Sequence, residues 1–257
     1  MKKHVDNEIE ILGVKVNQLT IDTLNCMVLD IVGSDKKKII AHHNLHSVYF
    51  VEKLPEIKKF WEMAHATHID GMPLIWWAKV LGYDLNKENR ITYLDWIYPL
   101  MKLANENHWK IFYLGGKPGV ATIASTILNK SFPNITFQNH SGYFNMEANS
   151  EENLRIIKKI NQFSPNILMV GMGMPRQERW ILNNFKQVSA NAVLSSGACF
   201  DYIAGEQKTP PRFLGKIGLE WFYRLINDPK RLSRRYFVEP ILLIPVVFKD
   251  IRSRYFL

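Results

Sequence analysis

The residues best suited to chemistry in this 257-residue chain lie in the stretch His68-Ile69-Asp70-Gly71-Met72-Pro73. Residues before Asp70 read as a short apolar strand, and Leu74 to Val80 reads as an amphipathic helix. Pro73 suits the first turn of that helix, where a missing N–H is not needed. Asp70 therefore falls where a strand ends and a helix begins, the position at which open α/β sheets bind ligands. A carboxylate there can take a proton from a substrate hydroxyl. It can equally well do no more than cap the helix, and the local sequence leaves both readings open.

Three glycine-bearing turns follow strands elsewhere. Gly115-Gly116-Lys117-Pro118-Gly119 opens a helix, as does Gly171-Met-Gly-Met-Pro-Arg176-Gln177, and Gly197-Ala-Cys-Phe-Asp201 follows the last clear strand. Glycines allow close backbone approach, and a helix start attracts phosphate. None is a P-loop or a dinucleotide fingerprint, and each alone is also consistent with a tight structural turn. Their common position at strand ends puts all three on one sheet edge, with Arg176 and Gln177 free to face a cleft.

Metal chemistry has little to stand on. His42, His43 and His46 cross a strand–helix junction with no cysteine or carboxylate nearby in sequence, and the chain has no Asp-x-Asp pair. If a diphosphate is handled, arginines are the expected charge partners. The C-terminal segment supplies them. Residues 208–257 hold eleven Lys/Arg and four Asp/Glu, so +7 of the net +9 sits in the last fifth of the chain. Arg224, Arg231, Arg234 and Arg235 alternate there with Trp221, Phe222, Leu225, Ile226, Leu232, Tyr236 and Phe237. Such helices suit an anionic bilayer, or they pack as ordinary basic helices on the domain. No nucleic-acid-binding motif accompanies the charge, which argues against that partner.

The elements that must carry these residues alternate as strand and helix. Strands are expected at Lys38–His42, before Asp70, and over 109–114, 135–139, 167–171 and 192–196, with a strand or hairpin within 10–19. Helices are expected from 20 to 32, from about His46, and over 55–64, 92–107, 120–129, 151–163 and 176–185. The expected fold class is α/β: a Rossmann-like, largely parallel sheet covered by helices on both faces, with a C-terminal helical membrane-binding appendage. The expected division is 1–205 for the sheet domain and 206–257 for the appendage, with helices over 219–227 and 230–238 separated by Asp228-Pro229. Cys26 and Cys199 are isolated, which points to a reducing compartment. The N-terminus has no apolar region behind its lysines and reads as no secretory signal. The longest apolar run, Ile241 to Phe248, is too short to span a bilayer and contains Pro245.

The ordered set of motifs resembles the WecG/TagA/CpsF family of bacterial glycosyltransferases over nearly the whole chain. The resemblance is carried by Ile11-Leu-Gly-Val-Lys-Val, Asp70-Gly-Met-Pro, Tyr113-Leu-Gly-Gly-Lys-Pro-Gly, Ser141-Gly-Tyr-Phe and Val170-Gly-Met-Gly-Met-Pro-Arg-Gln-Glu-Arg-Trp. It continues through Gly197-Ala-Cys-Phe-Asp-Tyr-Ile-Ala-Gly and the tail from Gly218-Leu-Glu-Trp to Arg234-Arg-Tyr.

The resemblance implies inverting, metal-independent sugar transfer, without a cofactor. The donor it implies is a UDP-sugar: UDP-N-acetylmannosamine, its uronic acid or a UDP-hexose. The acceptor is a polyprenyl-diphosphate-linked sugar, at the cytoplasmic face of the bacterial membrane, in cell-surface polysaccharide synthesis. By the same resemblance Asp70 is the base and Gln177 a second catalytic polar group. Asn44 and Asp201 are placed at the nucleotide with His42 beside them, and Arg224, Arg231 and Arg234 fold over the diphosphate; Gly115 and Gly116 are expected there from their strand-end turn. His42 stands where the family often has Thr, and Arg90-Ile-Thr-Tyr-Leu-Asp95 has Tyr93-Leu94 in place of the usual Gly-Ser. A homo-oligomer is compatible with the sequence. The competing reading is a non-catalytic UDP-binding membrane adaptor on the same fold.

Overall fold

The computed structural model describes residues 8–255. The segment 1–7, read above as carrying no secretory signal, and residues 256–257 of the basic tail lie outside the described residues.

A short antiparallel hairpin opens the chain, with β1 (Glu8–Ile11) and β2 (Val14–Asn17). It is followed by α1 (Ile21–Val32), β3 (Lys38–His43), α2 (Leu45–Lys53), α3 (Pro55–Met63), β4 (Ala66–Ile69), α4 (Met72–Val80) and α5 (Tyr93–Glu106). Then come β5 (Lys110–Gly115), α6 (Val120–Ser131), β6 (Thr136–His140), α7 (Glu151–Phe163), β7 (Ile167–Gly171), α8 (Arg176–Asn184), β8 (Ala192–Ser195) and α9 (Cys199–Ile203). Local chemistry accounts for the boundaries. Thr20 and Thr23 cap α1 reciprocally, and Ser150 caps α7 ahead of Glu151 and Glu152, which suit the positive end of the helix dipole.

Six strands form one parallel sheet in the order β4-β3-β8-β7-β5-β6. β7 (Ile-Leu-Met-Val-Gly) is buried at every position, as expected for a strand covered on both faces. One core layer, including Ile57, Phe60, Leu74, Ile156 and Trp180, packs beneath α3, α4, α7 and α8. The other, including Leu24, Val28, Trp96, Leu100, Ala124 and Phe200, packs beneath α1, α5, α6 and α9. The expected α/β class with both faces covered is what the chain adopts. Because all six strands run the same way, their C-terminal ends share one edge. The chain steps outward from β3 to β4, then crosses to β5 on the far side, so its direction across the sheet reverses above β3 and β8. Such a switch point opens a crevice.

After Gly205 the chain is helical: α10 (Arg212–Lys216), α11 (Glu220–Asn227), α12 (Pro229–Ser233), a π-helical turn (Arg234–Val238), α13 (Glu239–Leu242) and α14 (Ile244–Tyr255). The single helix expected over 230–238 is thus divided. Pro240 explains the change, because regular α-helix would drive its ring into the Tyr236 carbonyl. The wider turn avoids this, with Glu239 N–H donating to the Arg234 carbonyl.

Polar contacts fasten this segment to the sheet domain. Arg90 bonds Glu220 at 3.2 Å, and Arg212 pairs with Asp95. His46 Nδ1 lies 2.6 Å from Glu239, while Asp250 accepts from Trp77 Nε1 at 2.7 Å and from Leu12 N at 3.2 Å. Leu232 and Leu243 are buried in the same contact.

Candidate functional site

Asp70 follows β4 directly. Its backbone N–H donates to the His43 carbonyl at 2.8 Å, which continues the β3–β4 ladder by one residue and sets Asp70 on the sheet edge. The capping reading is not what the structure shows: Gly71 is the N-cap of α4 and no side-chain cap bond is made there. Gly71 has φ +138°, a conformation that favours glycine and frees the Asp70 side chain from the helix start.

The cap is found instead on the neighbouring strand. Asn44 caps α2, its Oδ1 accepting from Ser47 N at 3.1 Å and its N–H donating to Ser47 Oγ at 2.8 Å. With its carbonyl so engaged, the amide turns its Nδ2 to Asp70 Oδ2 at 3.2 Å. One asparagine therefore closes a helix and orients a carboxylate.

Two cavities meet at Asp70. The first, about 360 Å³, lies above β3, β7 and β8. It is lined by His42 and Asn44 after β3, by Gly173, Met174 and Gln177 after β7, and by Ser196 to Cys199 after β8. Arg224, Arg231, Arg234 and Arg235 close it from above. The second, about 250 Å³, has a more apolar wall made of Leu45, Met72, Pro73, Leu74, Trp221, Tyr236 and Pro240. Asp70, Asn44, His46, Thr92, Glu220, Arg224 and Arg235 line both.

Three carboxylates border this space. Glu220 is held by Arg90, and Glu239 by His46. Of the three, Asp70 alone is not buried, and its side-chain partner is the Asn44 amide rather than a guanidinium or an imidazole. It is therefore the group with capacity left for a substrate proton.

The other expected residues divide. His42 lines the larger cavity, with Nδ1 3.0 Å from the Ser195 carbonyl, to which it can donate. Burial lowers its pKa against the pull of Asp70, so the ring is neutral at pH 7. Gln177 is fully buried under the Gly197 turn. Its Oε1 accepts from Gly197 N at 3.2 Å and its Nε2 donates to Glu178 at 2.7 Å. The carbonyl holds the turn and the amide nitrogen is bonded to the next residue of α8, leaving one N–H of the amide. Arg176 does not enter the cleft; it donates to the Gly142 carbonyl at 2.9 Å and ties the loop after β6.

Gly115 and Gly116 are not on the cavity lining. Gly115 pairs with Gly171 across β5 and β7, and a Cβ there would lie 2.3 Å from the Gly171 carbonyl oxygen. Its role in the structure is close strand packing. Gly116 turns with φ +65° beside Asp201, which likewise stands off the lining, on the shoulder next to Cys199. Burial raises the Asp201 pKa, and Lys117 and Arg231 work against that shift.

Arg224, Arg231 and Arg234 all reach the larger cavity. Arg231 is paired with Asp228 at 2.5 Å, and the Arg224 guanidinium lies 5.3 Å from the Tyr202 ring centre. Burial opposes the charge on Arg224, but Tyr202, Tyr236, Glu220 and Asp70 more than offset it, so its pKa stands above the ordinary value. In the sequence Arg235 counts only among the tail arginines and His46 only as a poor metal candidate, with no sign of Glu220 or Glu239; all four line a cavity. The i, i+11 separation of Arg224 and Arg235 carries no periodic signal across a Pro break and a π-turn.

The comparisons agree with this geometry. The family model described as glycosyl transferase WecG/TagA/CpsF matches residues 9–256. An N-acetylglucosaminyldiphosphoundecaprenol N-acetyl-beta-D-mannosaminyltransferase of Staphylococcus aureus strain MW2 is 30% identical over 231 residues, covering 86% of this chain and 87% of its own length. The protein of the same name from strain NCTC 8325 / PS 47 matches to the same extent. A sheet-edge carboxylate lies between two cavities that arginines border, an arrangement compatible with group transfer. The chain belongs to the WecG/TagA/CpsF family of glycosyl transferases.

Proposed function

We propose that this protein transfers a sugar, with inversion, from a UDP-sugar to a polyprenyl-diphosphate-linked sugar in bacterial cell-surface polysaccharide synthesis. N-acetylmannosamine is the donor sugar favoured by the names of its relatives. Asp70 at the meeting of two cavities is the observation that carries this reading. The glycine-lined cavity takes the nucleotide diphosphate, with backbone amides of the Gly173 and Gly197 turns and the tail arginines as its charge partners. The apolar cavity takes the acceptor. Asp70 accepts the proton of the acceptor hydroxyl as that oxygen attacks the anomeric carbon, and the bond to UDP breaks on the opposite face. Asn44 orients Asp70, and Gln177 holds the Gly197 turn. His42 borders the donor, and Asp201 with Gly115 and Gly116 supports the site from its shoulder. Arginines rather than a metal neutralise the leaving diphosphate, and no cofactor enters.

Residues 206–257 act as the appendage that closes the 1–205 sheet domain at the membrane. No helix among the described residues is long and apolar enough to cross a bilayer. Among the described residues, twelve of the twenty-one exposed large apolar side chains lie between Phe213 and Phe248, where the basic residues also concentrate. That combination suits peripheral binding to an anionic cytoplasmic leaflet.

The test is direct. The full chain is incubated with UDP-N-acetylmannosamine, UDP-N-acetylmannosaminuronic acid or a UDP-hexose and a short polyprenyl-diphosphate-linked N-acetylglucosamine. UDP release and product mass are followed. Acceptor-dependent UDP release with a product heavier by one sugar is expected. Tight UDP binding with no turnover for any pair would mean an adaptor instead.

A further inference from the structure

Of the arginines that border the site, three have visible company. Arg90 bonds Asp95 and Glu220, Arg231 bonds Asp228, and Arg224 stacks over Tyr202. Arg234 is exposed to solvent. Arg235 lies 5.9 Å from the Tyr236 ring centre and is the one of the two ring-stacked arginines here that stands on the π-helical turn. It is partly buried, yet among the described residues it makes no hydrogen bond and no ion pair. The nearby acids do not meet it: Glu239 is taken by His46, and Asp70 by Asn44. A guanidinium carries five donors in a rigid fork, and those of Arg235 are left to water or to a bound anion. Burial and the neighbouring Arg224 lower its pKa, against Tyr236, Asp70 and Glu239. The surroundings thus undercompensate its charge.

Position says which anion completes it. Arg231 and Arg234 face only the glycine-lined cavity. Arg235 lines the apolar cavity as well, beside Tyr236 and Pro240 and across from Leu45 and Pro73. It stands on the π-helical turn, a backbone form frequent at functional sites. A reaction with two diphosphates needs two sets of cations, and among the described residues the apolar cavity has Arg90, Arg224 and Arg235 as the arginines on its wall. Arg90 is already neutralised by two carboxylates.

From this placement we infer that Arg235 binds the diphosphate of the lipid-linked acceptor and so sets that substrate's reacting hydroxyl over Asp70. The inference deepens the proposed transfer reaction and rests on it for the identity of the acceptor. Arg235 grips the phosphate that remains on the product, so its contribution falls on acceptor binding rather than on departure of UDP.

The experiment has a kinetic and a binding arm. Steady-state constants are measured for the full chain and for Arg235→Gln and Arg235→Lys. One acceptor is a polyprenyl-diphosphate-linked N-acetylglucosamine, and the other is an uncharged alkyl glycoside of the same sugar. For Arg235→Gln the acceptor KM rises about 10- to 100-fold with the diphosphate acceptor, the range for a lost charge-assisted contact. With the uncharged one it changes by less than about fivefold, and the Kd for UDP, whose cavity Arg235 borders beside Arg224, Arg231 and Arg234, rises far less than the diphosphate-acceptor KM. Arg235→Lys falls between. The melting temperature of Arg235→Gln does not drop, since an uncompensated charge has been removed.

The binding arm compares geranylgeranyl diphosphate with geranylgeraniol in detergent. Arg235→Gln weakens only the diphosphate. Equal losses with both acceptors, a loss of UDP affinity matching the acceptor effect, or unchanged diphosphate binding would overturn the inference. A wild-type chain without turnover refutes the transferase reading, and the binding arm still decides the role of Arg235.

Discussion

Asp70→Asn is the substitution that most sharply separates chemistry from structure here. The Asp70 side chain is half-buried and accepts a single hydrogen bond, from Asn44 Nδ2 at 3.2 Å. An asparagine carbonyl can take the same bond at the same place. What changes is its strength, because a charge-assisted bond becomes a neutral one, at a cost of about 1 kcal/mol. For a chain of this size that shifts the melting temperature by roughly 2–4 °C. The chemical loss is larger. An amide cannot accept the acceptor proton, and a positioned base is worth roughly 10²- to 10⁴-fold in rate, or about 3–5 kcal/mol of barrier. Removing a negative charge beside Arg224 and Arg235 leaves more positive potential for a diphosphate. UDP affinity is therefore unchanged or tighter. The assay is continuous UDP release at saturating donor and acceptor, run beside a thermal melt and a UDP titration. A kcat within tenfold of wild type, with the fold intact, would remove Asp70 from the role of base. A melting temperature lower by 10 °C or more would mean the Asn44–Asp70 contact was structural first.

Three further outcomes follow from the same structure. Burial pushes the Glu178 carboxyl from an ordinary 4.5 up to about 7, so the folded state holds this proton more tightly than the unfolded chain does. Stability attributable to Glu178 therefore falls as pH rises from about 4.5 to 7, and Glu178→Gln gains on wild type by about 3 kcal/mol between pH 5 and pH 8 in urea unfolding; parallel pH profiles would contradict this. Replacing Trp221 and Phe222, both exposed on α11, with serine reduces sedimentation with anionic phospholipid vesicles while the melting temperature is held; undiminished sedimentation would place the membrane contact elsewhere. Turnover persists within about twofold after EDTA treatment if the arginines neutralise the diphosphate, whereas loss that Mg²⁺ restores would assign that role to a metal.

Much of the fold was legible because its signals are local. β7 is five consecutive buried residues ending in glycine, and α7 combines a serine cap, an acidic first turn and the 156, 157, 160 spacing of isoleucines. Alternation of such units implies a parallel sheet with its strand ends together, and that placed Asp70 beside the glycine turns. The site was legible only in part. Asn44 was expected at the nucleotide, and its bond to Asp70 across 26 residues of sequence has no local signature. Gly115 looked like a phosphate turn, yet its missing Cβ lets β5 and β7 close on each other. That distinction depends on which strand lies alongside, and strand order is not a local property.

The sequence by itself determined the α/β class, the family, the edge on which Asp70 sits and the basic character of the tail. Periodicity, capping residues and ordered motifs all act within a few residues of one another. Tertiary structure alone decided how the tail meets the domain. His46 and Glu239 are separated by 193 residues, and Leu12 and Asp250 by 238, yet each pair is in hydrogen-bonding contact. Those contacts bring Arg224 and Arg235 over Asp70 and divide the space beneath them into two cavities. His46 engages Glu239 and Arg90 engages Glu220, leaving Asp70 as the carboxylate available for chemistry and Arg235, among the described residues, as a partly buried cation without an ion pair. Whether a charged side chain is spent or free depends on its neighbours in space, and only the folded chain supplies them.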